Sequence, residues 1–181
     1  MKLNLGCGGT KLEGWVNIDR NPGYEPDVIA DVRQLPFSDG EVEEIFASHI
    51  LEHFGYEENV LGEWSRVLCP GGRITVIVPD VESVYAAWEE NLRWPFGGNV
   101  DVRTINGFVF GATAWGGEFL EDADNQTHRQ IFLGVMLLER MREYFPDAYE
   151  FKLDGVNKIV RGTKPKTPAG VPAHKADGGK A

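Results

Sequence analysis

"LNLGCGG" (Leu3–Gly9) is an alternating apolar stretch that runs into a glycine-rich turn. It reads as a strand whose carboxyl end is a turn of the kind that lies under nucleotide cofactors. The dinucleotide fingerprint is G-x-G-x-x-G. Gly6 and Gly8 fit it, but Lys11 holds the third glycine position. The turn alone therefore does not name a ligand, and the residues after it must.

The next elements are short. "WVNID" (15–19), "DVIAD" (27–31) and "VEEIFAS" (42–48) read as strands two to four. "RITVIVPD" (73–80) is a fifth strand, apolar on both faces. "AYEFKLDG" and "NKIVRGT" read as a closing hairpin. Three stretches carry helical periodicity: "EENVLGEWSRVLCPGG", stopped by Pro70-Gly71-Gly72, then "DVESVYAAWEENL", then "HRQIFLGVMLLERMREYF". Strands precede helices, so an open α/β sheet of about seven strands is expected, mostly parallel with an antiparallel C-terminal hairpin strand. A parallel crossover normally takes a dozen or more residues and a helix. The segments 6–14 and 20–26 leave little room for one. Leu3, Leu5, Val16 and Ile18 face one way, and Asn4, Asn17 and Asp19 the other. That alternation predicts a half-sheet partly bare on its polar side.

Composition bounds the function classes. The 181 residues suit one domain with a sizeable core. The formal net charge of -10 argues against a general nucleic-acid binder. The apolar runs are too short to span a bilayer. Cys7 and Cys69 imply no disulfide framework. No signal peptide precedes the first strand, so a cytoplasmic protein is expected. Residues 93–127 show no clean period and are rich in glycine and aromatics; they read as a structured insertion. Residues 164–181, rich in Pro, Gly, Ala and Lys, read as a disordered tail.

Asp19 ends strand two, where an acid can accept hydrogen bonds from both ribose hydroxyls. It stands closer to the glycine turn than the roughly 20 residues of dinucleotide folds. A nicotinamide cofactor fits poorly on both counts. His49-x-x-Glu52-His53 matches the H-x-x-E-H pattern of inverted zinc peptidases. That chemistry needs both histidines on one helical face, yet His49 follows a strand directly, so no metal site is expected.

Taken in order, "LNLGCGG", "NID", "D-x-x-x-LPF", "S-x-x-x-LEH" and "RVL-x-PGG" resemble the class I S-adenosylmethionine-dependent methyltransferases, in particular a small type found among glycan and small-molecule methyltransferases. The resemblance is strong over residues 2–80 and weaker beyond. It implies a Rossmann-like fold, with reduced helices after strands one and two as this chain's departure. It implies S-adenosyl-L-methionine as cofactor. It places the methionine part against Leu5, Gly6, Cys7 and Gly8, the ribose at Asp19, the adenine at Asp31 and Val32, and the methyl donor at Ser48 and His49. The expected domain is 1–163, with 81–127 covering the substrate. The expected acceptor is a small molecule or glycan, methylated on a hydroxyl; no membrane partner is expected, and a homodimer is open. His128 and His49 are the candidate catalytic residues, His128 as general base. A module that keeps the cofactor fold without transferase activity is the alternative. The bland readings are Asp19 and Asp31 as turn formers and Cys7 as a small filler.

Overall fold

The computed structural model describes residues 1–89, 129, 132, 135–151 and 157–166. Its strands are β1 (Lys2–Leu5), β2 (Val16–Asp19), β3 (Val28–Ile29), β4 (Val42–Ser48), β5 (Leu68–Pro79), β6 (Tyr149–Phe151) and β7 (Asn157–Thr163). Its helices are α1 (Val60–Val67), α2 (Val81–Glu89) and α3 (Met136–Arg142). The strands form one sheet in the order β3-β2-β1-β4-β5-β7-β6. β1 to β5 pair in parallel, and β7 runs antiparallel to both β5 and β6. This is the mixed, mostly parallel Rossmann-like sheet expected.

One face of the sheet carries the apolar core. Leu3, Leu5, Ile18, Ile45, Ala47, Ile74, Val76 and Val160 are buried there, together with Val60, Leu61, Trp64 and Val67 of α1 and Leu137 and Met141 of α3. Full burial of one such side chain contributes about 1.5–3 kcal/mol. α1 also fastens the loop after β3. The Trp64 indole donates to Val32 O at 3.0 Å, and the Leu35 N–H donates to Glu63 at 2.7 Å. Arg66 donates to Phe37 O and Leu35 O at 2.9 and 3.2 Å. The "D-x-x-x-LPF" and "RVL" motifs are thus two halves of one contact.

The other face corrects the expectation of a bare half-sheet. Asn4 and Asn17 are only 3% and 5% exposed. Residues 6–15 and 20–27 make their parallel crossovers without an α-helix; a 310 turn at Pro22–Tyr24 is the only helical piece in them. These loops themselves cover the polar face, because the two asparagines give their backbone a partner. Asn4 Nδ2 donates to Asn17 Oδ1 and Thr10 O, each at 2.9 Å. The Leu12 N–H donates to Asn17 Oδ1 at 2.8 Å. The Asn17 N–H and Nδ2 both donate to Asp27 Oδ2, at 2.7 and 2.8 Å. Buried side-chain amides do here what a crossover helix does elsewhere.

Several boundaries differ from the periodicity. α1 ends at Val67, and Leu68 already pairs with Val42, so β5 begins before Pro70. Lys164, first residue of the expected tail, is fixed in the fold. Its N–H donates to Gly72 O and its Nζ to Leu68 O, at 2.8 and 2.6 Å. α3 covers only the second half of the expected third helix; Arg129, Phe132 and Val135 are not helical, and the other residues before α3 lie outside the described residues. So do the expected insertion beyond α2 and the tail beyond residue 166. No helix among the described residues is long and apolar enough to cross a membrane.

Candidate functional site

A cavity of about 390 Å³ opens at the carboxyl ends of β1, β2, β3 and β4. In this strand order the chain reverses direction across the sheet between β1 and β4. Ligands of open α/β sheets bind at such a switch point. The volume lies in the range of small-molecule sites.

The glycine turn forms one wall. Gly6 and Gly8 both have positive φ, +62° and +48°, a backbone that side chains rarely adopt. A Cβ on Gly6 would stand 2.7 Å from Ile50 Cγ1. A Cβ on Gly8 meets nothing within 4 Å, so there the bare backbone itself borders open space. Asp19 closes the turn. Its Oδ2 accepts the Gly8 N–H and its Oδ1 the Asn21 N–H, both at 2.9 Å. Each oxygen keeps lone-pair capacity for a further donor.

Asp31 borders the cavity in a clamp that the sequence reading missed. Arg33 donates to both Asp31 oxygens, with the shortest contact at 2.6 Å, and to Glu58 Oε1 at 2.8 Å. The Arg33 guanidinium holds the Asp31 carboxyl below the usual range, against the opposing effect of its partial burial. Arg129 also reaches Glu58, at 2.6 Å. Two residues after an acid, Arg33 was a visible signal. Glu58 and Arg129 come from distant parts of the chain and were not.

Of the residues expected at a cofactor, Gly6, Gly8, Asp19, Asp31, Val32 and His49 line this cavity. Leu5, Cys7 and Ser48 do not. Leu5 is fully buried in the core, and Cys7 is 5% exposed with its N–H on Ile18 O. Burial, then the charge of Asp19, pushes the Cys7 thiol up, which suits a filler and not a nucleophile. Ser48 ends β4, paired with Ile77. His53, Arg20 and Tyr24 line the cavity without having been expected there. His128 lies outside the described residues; the neighbouring Arg129 borders the cavity.

The H-x-x-E-H segment is not one helix. His49 is left-handed, with φ 54°, and a 310 turn spans Leu51–His53. Among the described residues, no group of three or more His, Cys, Asp or Glu is arranged to hold a metal ion.

Residues 13–76 match the family model of the methyltransferase domain. Over that stretch the chain is similar to methyltransferase domains. The matched stretch contains Asp19, Asp31, His49 and α1. No curated protein sequence matches the chain at significance. Solved structures share its fold at low identity. The PH0226 protein of Pyrococcus horikoshii is 17% identical with a TM-score of 0.61, over 91% of this chain and 81% of that one. An S-adenosylmethionine-dependent methyltransferase of Mesorhizobium loti is 13% identical with a TM-score of 0.54, over 90% of each chain. One from Methanosarcina mazei is 14% identical with a TM-score of 0.56, over 91% and 92%. The last two are S-adenosylmethionine-dependent methyltransferases by name, and S-adenosyl-L-methionine is the cofactor that the sequence resemblance implies. The cavity suits it chemically. Bare backbone at Gly8 permits close approach, and Asp19 and Asp31 offer acceptors to hydroxyl and amino groups.

Proposed function

We propose that this enzyme methylates a hydroxyl of a small-molecule or glycan acceptor in the cytoplasm, with Asp19 taking the cofactor's ribose hydroxyls, Asp31 and Val32 meeting its adenine, and His49 removing the acceptor's proton. The observation that carries this reading is that His49, Asp19 and the glycine turn border one cavity. When bound, the cofactor supplies a methyl carbon made electrophilic by its sulfonium. The chain's own work is then positioning and proton removal. A hydroxyl is a weak nucleophile until its proton leaves. His49 is the half-exposed imidazole at the end of β4, 41% exposed at the side chain, and histidine is the commonest group for that task. Acceptor choice is assigned to residues 81–127, with His128 as a second candidate base, on the sequence grounds given above.

The test is a screen of hydroxylated acceptors with labelled methyl donor, repeated on His49→Asn. Asparagine tolerates a left-handed backbone, so this variant keeps the turn. Loss of a general base lowers turnover by about 10²–10⁴. S-adenosylhomocysteine should bind His49→Asn as it binds the parent. Full turnover in the variant would remove His49 from the proton step.

A further inference from the structure

His49, the base proposed above, stands beside Glu52, to which that reading gives no role. His49 follows β4 directly with φ 54°, a backbone that costs a non-glycine residue about 1–3 kcal/mol. The conformation is braced by the His49 N–H, which donates to Ile77 O at 2.9 Å. It brings the imidazole Nδ1 within 3.4 Å of Glu52 Oε1. The Glu52 side chain is 1% exposed, while the imidazole is 41% exposed and borders the cavity. The Glu52 backbone is held as well, for its carbonyl accepts the Arg129 N–H at 2.7 Å. A carboxylate is costly to bury, and an apolar side chain of the same length would fill that space without the cost. Its placement under a cavity-lining imidazole gives it a use.

We propose that Glu52 is a positioning residue whose carboxylate holds a proton on Nδ1 of His49, leaving Nε2 as the basic nitrogen. The hydrogen bond made by one ring nitrogen decides which nitrogen carries the proton. A proton on Nδ1 is the one that the Glu52 carboxylate, 3.4 Å away, favours electrostatically, and the lone pair then sits on Nε2. In the proton step the acceptor O–H bond breaks, an Nε2–H bond forms, and the oxygen keeps the electron pair, which makes it the stronger nucleophile. The resulting imidazolium has its positive charge beside Glu52. This inference rests on His49 as the base, but its test does not.

The experiment is a long-range proton–nitrogen correlation spectrum of the ¹⁵N-labelled full chain near pH 9, where an ordinary imidazole is neutral. The His49→Asn variant identifies the His49 signals among those of the four histidines. The expected wild-type pattern is a protonated Nδ1 and a bare Nε2. Glu52→Met should move a large share of the proton to Nε2. If Glu52→Met does not fold, the wild-type spectrum decides alone. A wild-type His49 protonated on Nε2, or a Glu52→Met spectrum equal to wild type, overturns the proposal. Neither spectrum needs acceptor or cofactor, so a failed turnover assay would count against His49 as base and not against this contact.

Discussion

Asp19 Oδ2 accepts the Gly8 N–H at 2.9 Å, so the acid that ends β2 also locks the glycine turn that ends β1. One carboxylate therefore shapes the cavity and faces it. Asp19→Ala should weaken S-adenosylhomocysteine by about 1–3 kcal/mol, the usual cost of leaving polar groups without a partner. Calorimetric titration of the variant against the parent reads this directly. Equal affinity would mean that Asp19 only forms the turn.

Asn17 is the hub that lets two crossovers do without helices. Asn17→Ala removes the acceptor of the Leu12 N–H and a partner of Asn4. Each buried polar group left unsatisfied costs about 1–3 kcal/mol. Urea unfolding should therefore show a loss of at least one such step. A loss near zero would mean that water replaces the side chain and that the loops hold themselves.

Acid should loosen the region around the cavity. Arg33 holds Asp31 low, and Asp27 is held low by the N–H and side chain of Asn17. Arg66 likewise lowers Glu63. Each folded value lies below its unfolded one, so the folded protein binds fewer protons. The stabilisation is full above the ordinary carboxyl range of about 4 and is lost as pH falls through the folded values. Urea midpoints at pH 7, 4 and 3 should fall in that order, and Arg33→Met should flatten part of the decline. Midpoints that rise on acidification would contradict the assignment of these pairs.

Much of this was legible in the sequence because it rests on local pattern. Alternation fixed the faces of β1 and β2, and β4 has the bounds its pattern suggests. The short segments after β1 and β2 announced missing helices. They did not announce what replaces them, because Asn4 and Asn17 look like solvent-facing residues until the loops fold over them. In the site, the glycines and the acids at strand ends were readable from spacing. The Arg33–Glu58–Arg129 chain was not, since its members meet only in three dimensions. Leu5 and Cys7 show how the fold sorts neighbours within one motif. They sit within the motif, but the pleat turns Leu5 into the core and burial closes over Cys7.

The most direct measurement is a crystal structure of the protein with S-adenosylhomocysteine. Ribose hydroxyls on the Asp19 carboxylate, the amino acid part along Gly6 and Gly8, adenine beside Asp31 and Val32, and sulfur on the side of His49 are the expected result. Ligand density outside the cavity at the ends of β1 to β4, or within it but away from Asp19 and the glycine turn, would contradict the account.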